Sequence, residues 1–282
     1  MSEDLRTMSP KNVQDAIDLM NQSSRRTSLN YDLDIFGFRW LARYWNFSYQ
    51  HSLICYVQGE PAALMINCTD PQAHDAYTFY WGTLPRFRTR KIAMTLFDAC
   101  CKKLYDDGYL ILYGDSVPDR PVRRYRFIQA LPQYALVDMQ AQTPNLPASD
   151  PRFEVRQVDV SDLPQLDVPP GEYLHWCQRP AFLRNAAPFL KFLASFAGDV
   201  VAAYAVVLPP RSNITLTDIR SPGSCSAAGY ELLRWLLVQD NRPPLTATYV
   251  FDQSYAHRLL TAAGFLVHRQ FSTLSRDLRA TC

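Results

Sequence analysis

The chain has 282 residues, of which 48% are hydrophobic and 20% charged, with a formal net charge of +2. That composition is globular, with apolar material for a core and room for one large domain or two of about 140 residues. A balance so near neutral excludes the strongly basic face of a general nucleic-acid binder, and no apolar run reaches the roughly 18 residues of a membrane span.

The N-terminus, "MSEDLRTMSPKN", is polar and acid-bearing, which argues against a signal peptide. Ser9 or Pro10 opens an amphipathic helix carrying Val13, Ile17 and Met20 on one side, and "DIFGFRWLARYW" is a second, aromatic-rich helix. "SLICYVQG" and "PAALMINC" form two strands around Gln58-Gly59-Glu60, and "DAYTFYWGTL" is a third. A cationic loop follows, with Arg86, Arg88, Arg90 and Lys91 inside six residues. It leads into a helix from about Ile92 to Tyr105, with Ile92, Leu96 and Ala99 or Cys100 at helical spacing. "LILYGDS" is a short buried strand, "PVRRYRFIQAL" a helix opened by Pro121, and "YALVDM" a strand.

Gln140 to Phe153 holds three prolines and is the best boundary, so residues 1–140 read as one domain, 141–152 as a linker and 153–282 as a second domain. The order of elements then returns. "FLASFAGD" and "VVAAYAVVLP" are strands around Gly198-Asp199, "SNITLTDIRS" is the next strand, and "AAGYELLRWLLVQD" a helix. "LTATYVF", the helix "SYAHRLLTAAGF" and the strand "LVHRQFSTLSRDL" complete the set. The offset of roughly 130–140 residues reads as a repeat in structure, giving two mixed α/β domains in tandem.

The seven cysteines are odd in number and form no CxxC pair, so all read as reduced thiols in a cytoplasmic protein; none is expected to have a basic or histidine neighbour. Asn46, Asn67 and Asn213 begin chance sequons. Cys100 and Cys101 lie in a helix body and read as core, as do most of Tyr77, Tyr80 and Trp81. His51 and His74 have no partner at metal or triad spacing, and no metal is expected.

Strand, cationic loop, helix, strand, helix, strand resembles the GNAT superfamily of acyl-CoA N-acyltransferases. "TLPRFRTRKIAMTLFDACCKKL" is similar to that family's coenzyme-A motif, which runs Arg or Gln, two residues, Gly, one residue, Gly or Ala. Arg88 takes the first position and Ala93 the last, while Lys91 stands where the first glycine belongs. "DQSYAHRLLTAAGF" resembles the family's penultimate helix with its closing Gly264-Phe265.

The resemblance implies two tandem GNAT-like domains, each a mixed, mostly antiparallel sheet flanked by helices, with acetyl-CoA or another acyl-CoA as co-substrate. The coenzyme would meet Thr83, Leu84, Arg86, Arg88, Thr89, Arg90, Lys91, Ile92 and Ala93. The second half keeps only Arg220 at the equivalent loop and reads as a degenerate copy. Independently of the family, a loop entering a helix offers unpaired N–H groups and a favourable dipole to phosphate, and arginines add bidentate donors. A solvated basic loop is the plain alternative.

Acyl transfer to an amine needs a base, oxyanion donors and an acid for the thiolate. The family's acid tyrosine falls on Ile128 in the first half and Leu260 in the second, so Tyr125, one turn earlier, is the nearest substitute, unless it is a packed tyrosine. Asp115, at the end of its strand, is the candidate base or else a turn aspartate. Asp32 and Asp34 precede the second helix and would meet a cationic amine or cap that helix. The expected function is N-acyl transfer, most simply of acetyl, to an unidentified small-molecule or peptide amine. A catalytically silent acyl-CoA-binding or regulatory protein is the alternative, and RNA binding is weaker, since no aromatic-basic stripe accompanies the loop. Neither nucleic acid nor membrane is an expected partner; an oligomer is possible.

Overall fold

The computed structural model describes residues 3–25, 31–116, 129–141, 145–163, 174–209, 214–238 and 245–281; within these, the side chains of 90, 116, 129–136 and 141 are left aside. The described elements are mixed α/β: twelve strands and six helices, joined by short 3-10 turns. Contacts divide the described residues into two compact units, the first holding 3–116, 129–132 and 273–281, the second those between 133 and 272.

The first unit begins with β1 (Glu3–Thr7), a strand the polar N-terminus does not announce; it pairs antiparallel with β2 (Leu53–Val57), Leu5 facing Cys55. Helix α1 (Val13–Ser24) starts later than Ser9 and has no side-chain cap; Asn12 turns its side chain back to the Ser9 N–H. α2 (Ile35–Tyr44) is capped by Asp34, which accepts the Gly37 N–H at 2.7 Å. β2 turns into β3 (Glu60–Asp70) through Gln58 and Gly59, both at positive φ, which suits a two-residue hairpin. β4 (Asp75–Thr83) is antiparallel to β3, and β5 (Ile111–Ser116) is parallel to β4. α3 (Arg90–Asp106) crosses between them, as a parallel pair requires. It buries Ile92, Leu96, Phe97, Cys100, Cys101 and Leu104 against Cys55, Ala63, Met65, Ala76 and Leu112. Alternation along β4 sends Tyr77 to the opposite face, where α1 packs on β3 and β4.

The second unit runs β7 (Phe153–Val158), β8 (Lys191–Ala197), β9 (Val200–Leu208), β10 (Ile214–Arg220) and β11 (Leu245–Phe251), with β10 and β11 parallel and the rest antiparallel. α4 (Pro180–Ala186) precedes β8, α5 (Ser226–Val238) crosses from β10 to β11, and α6 (Tyr255–Ala262) follows. Leu232, Leu233 and Leu236 of α5 close the core on Leu193, Ala205, Val207 and Ala247.

Each unit finishes with a strand from the other half of the chain. β6 (Gln129–Ala141) lies beside β11, antiparallel, with Val137 facing Val250. β12 (Phe265–Asp277) ends beside β5, where Leu274 and Leu278 enter the first core and the Leu278 N–H reaches Leu110 O at 2.9 Å. A cut at 141–152 leaves β6 with the first half and β12 with the second; contacts group residues 133–141 and 273–281 the other way. Gln129–Leu131, read as the end of a helix, are strand, because they begin β6; the rest of that helix lies outside the described residues. The proline-rich segment is not bare: Leu146 packs on the second core, and Glu231 of α5 accepts from Ser149 Oγ (3.0 Å) and the Asp150 N–H (2.9 Å).

Candidate functional site

In the first unit, β3 and β4 pair in register up to Ile66↔Tyr80 and resume at Asn67↔Thr78, leaving Phe79 as an extra residue on β4. The β4–β5 pairing runs from Asp75↔Ile111 to Thr78↔Gly114, beside the same bulge, while β4 continues to Thr83. A bulge bends and twists its strand, and the parallel pairing ends here. The bulge is braced from behind. Thr78 Oγ1 donates to Asn67 Oδ1 (3.0 Å), Asn67 Nδ2 donates to His51 O (2.7 Å), and the Asn67 N–H donates to Ser52 Oγ (3.0 Å). His51 lies between Ser48 Oγ (2.6 Å) and Asp107 Oδ2 (2.9 Å), partners that its sequence neighbourhood hides because Asp107 comes from the far end of α3. Burial pushes the His51 pKa down, and Asp107 only partly offsets it. His74 bonds Gly108 O at 3.2 Å.

Asp115 is the first β5 residue past the pairing. Its oxygens accept from Tyr77 OH (2.7 Å) and from Thr273 Oγ1 (3.1 Å), the latter supplied by β12. Trp45 stacks on Tyr77 at 5.8 Å, and Trp45, Phe47 and Tyr31 surround Phe79 at 5.1, 4.7 and 6.4 Å. Tyr80 shares a hydrogen bond with Ser23, and burial holds the Tyr31 hydroxyl up at about 12. Tyr77 and Tyr80 are therefore on the α1 face of the sheet, while Trp81 packs on the α3 side, its ring stacked on Phe97 at 5.1 Å.

Past the bulge, Thr83 is still on β4, and Leu84 is buried with its N–H on Ala62 O at 2.9 Å. A 3-10 turn at Pro85–Phe87 delivers the chain to α3, whose cap is Thr89; its Oγ1 accepts the Ile92 N–H at 3.3 Å and its carbonyl the Ala93 N–H at 3.4 Å. Ile92 itself is buried in the core. The amides of Arg90 and Lys91 are the first of the helix and have no acceptor within it. The cations do not gather at one point. Arg86 pairs with Glu60 at 2.8 Å and is 62% exposed; Lys91 pairs with Glu3 at 3.2 Å and is 76% exposed. Arg88 donates to Thr83 O (3.3 Å) and Ser23 O (3.4 Å). The Arg90 side chain and all of Tyr125 lie outside the described residues. Asp34 is a helix cap, and Asp32 is exposed.

The second unit repeats this geometry. β9 and β10 shift register between Leu216 and Asp218, which leaves Thr217 as the extra residue, and the parallel pairing with β11 ends at Leu216↔Ala247. Arg220 pairs with Asp218 at 2.8 Å, with side chains 16% and 4% exposed. Cys177 has a histidine neighbour after all: His175 Nδ1 is 3.0 Å from its Sγ, both within a buried turn whose sequence carries no thiol-activating pattern. Among the described residues there is no cluster able to hold a metal ion and no helix long and apolar enough to cross a membrane.

No family model and no curated protein sequence matches the chain. Solved structures match nearly end to end. A tandem GNAT protein from the clavulanic acid biosynthesis pathway superposes with a TM-score of 0.67 at 11% identity, covering 98% of this chain and 99% of that one. A GCN5-related N-acetyltransferase from Sphaerobacter thermophilus gives 0.64 at 12% identity (98% and 96% covered), and a putative acetyltransferase from Pyrococcus horikoshii gives 0.60 at 11% (98% and 89%). The chain has the fold of the tandem GNAT proteins.

Thr273, Asn67, Glu3 and the His51–Asp107 contact have no motif to announce them. They meet the site through sheet order and the path of β12, which a linear reading does not contain.

Proposed function

We propose that the first unit transfers an acyl group, most simply acetyl, from acyl-CoA to an amine. One observation carries this: the pairing of parallel β4 and β5 ends at the Phe79 bulge, and β4 leads through the Pro85–Phe87 turn to the N-terminus of α3. An extended chain bearing amides can lie between parted strands and bond their backbone as a third strand does. Its pyrophosphate end would then meet the first amides of α3. Arg86 holds a surface carboxylate, a contact worth about 0–1 kcal/mol, which a phosphate can displace, and Lys91 reaches the part-buried Glu3 from an exposed position. Lys91 brings a Cβ where a glycine would let phosphate closer, and offsets this with charge.

In the reaction, the amine nitrogen attacks the thioester carbonyl, the C–S bond breaks, and the thiolate takes a proton. Asp115, beside the parting strands, would accept the proton from the ammonium, directly or through water. Amides freed at the Phe79 bulge would face the developing oxyanion. Tyr125 remains a proposal for the acid, and Asp32 for attracting a cationic amine. A second reading, an acyl-CoA binder without catalysis, is favoured by one observation: both Asp115 oxygens already accept hydroxyls, from Tyr77 and Thr273. Coenzyme A release across a panel of amines, polyamines and peptides separates the two, alongside calorimetric titration with acetyl-CoA. Binding without release on any amine supports the silent reading, and no binding overturns both.

A further inference from the structure

The second unit has the same bulge and the same parting of parallel strands, yet its parted backbone is already engaged. Gln178, 6% exposed, donates from Nε2 to Thr217 O on β10 (3.0 Å) and to Tyr249 O on β11 (3.3 Å). Its Oε1 accepts the His175 N–H at 3.2 Å, so three of the carboxamide's bonds are made. Thr217 is the bulged residue itself. Tyr249 adopts φ 56, a left-handed conformation uncommon for a residue with a Cβ, at the point where β11 slips register against β6. Two contacts hold it there: its N–H donates to Asp138 Oδ1 at 3.2 Å, and its ring stacks on His175 at 3.8 Å with 4° between the planes. Leu174, His175, Trp176 and Cys177 are buried around these bonds. In the first unit Tyr77 and Thr273 bond the side chain of Asp115.

We propose that residues 174–178 are a built-in occupant of the second unit's parted strands, with the Gln178 carboxamide taking the backbone positions that an amide-bearing ligand would need. The chain therefore binds one acyl-CoA. The stoichiometry rests on the reading of the first unit; the plug does not. A buried carbonyl that loses its donor is costly, so a ligand entering the second unit has to replace both Gln178 bonds and expel the buried side chains of Leu174, His175, Trp176 and Cys177.

The test uses the full chain. Calorimetric titration with acetyl-CoA is expected to give one equivalent, and hydrogen exchange at 174–178 and 245–251 is expected to stay unchanged at saturation. Two equivalents, or faster exchange at 174–178 on saturation, overturn the proposal. If acetyl-CoA does not bind at all, the reading of the first unit fails, and ligand-free exchange decides the plug alone. Gln178→Met keeps volume and removes both donors; exchange across 245–251 should rise about tenfold while 53–70 stays as in the wild type. Unchanged exchange at 245–251 overturns the plug. Should Gln178→Met not fold, the wild type still decides: 174–178 and 245–251 should open together, with the same protection, and unequal protection overturns the plug.

Discussion

The two places where parallel strands part, β4 from β5 and β10 from β11, are built alike and finished differently. Both open at a one-residue bulge, Phe79 and Thr217, and both are followed by a crossover helix. In the first, the bulge is braced from behind by Asn67 and His51, and an aspartate stands at the opening. In the second, an ion pair and a glutamine fill the corresponding space. Backbone geometry is thus common to both copies, and the side chains beside the bulge are where they differ.

The largest expected effect is on the first opening. Asp115→Asn keeps the shape and one of the two acceptors, leaving the other hydroxyl to turn and accept from Nδ2, and removes the proton acceptor. Coenzyme A release should fall about 10²–10⁴-fold, with acetyl-CoA affinity kept within a few-fold. Release at the wild-type rate removes Asp115 from the reaction.

Arg220→Ala strikes the second opening. It leaves Asp218, 4% exposed, buried without its cation, and should cost about 3–5 kcal/mol in urea unfolding. Acetyl-CoA affinity should not change. A variant of full stability would mean that the pair is solvated; a variant that loses binding would put the coenzyme in the second unit.

Arg88→Ala tests the cationic loop. Charge-assisted bonds are worth about 1.5–3 kcal/mol when well formed, so binding should weaken roughly tenfold to a hundredfold. Arg88 also ties Thr83 O and Ser23 O, so Arg88→Lys serves as the control that keeps the charge. If both variants weaken binding equally, the fork geometry matters; if Lys restores it, charge alone does.

Much of this was legible in the sequence. Hydrophobic spacing locates α3 and α5, glycines mark the hairpins at Gly59 and Gly198, and the returning order of elements gives the tandem fold. The cationic loop is found at the helix entrance, but its side chains take partners a sequence does not reveal: Glu3 comes from a strand hidden in a polar N-terminus. The exchange of β6 and β12 is invisible because either last strand satisfies either sheet edge by pattern alone. The turn at 174–178 has no periodicity, and its importance comes from one carboxamide meeting two carbonyls contributed by distant strands.

The smallest effect concerns the brace behind Phe79. His51 is buried among Ser48, Asp107, Lys103 and the ring of Tyr109, and burial, aided by the charge of Lys103, lowers its pKa below the ordinary histidine value against the pull of Asp107. In the unfolded chain His51 titrates near 6.5, so between that pH and its lower folded pKa the unfolded state binds more protons. Stability from this group is therefore full above about pH 6.5 and declines as the pH falls toward the folded value, with a slope no steeper than about 1.4 kcal/mol per pH unit for one proton. Asp107 acts lower: the His51 hydrogen bond holds its pKa below the usual carboxylate value, so its contribution is lost only as the pH falls through that depressed pKa. Urea unfolding at pH 7.5 and 5.5 should show the wild type weakening in acid, and His51→Gln, which keeps a donor and an acceptor without titrating, should weaken less. Equal acid sensitivity in the two proteins would free His51 of any part in it and place the brace on Asn67 and Thr78 alone.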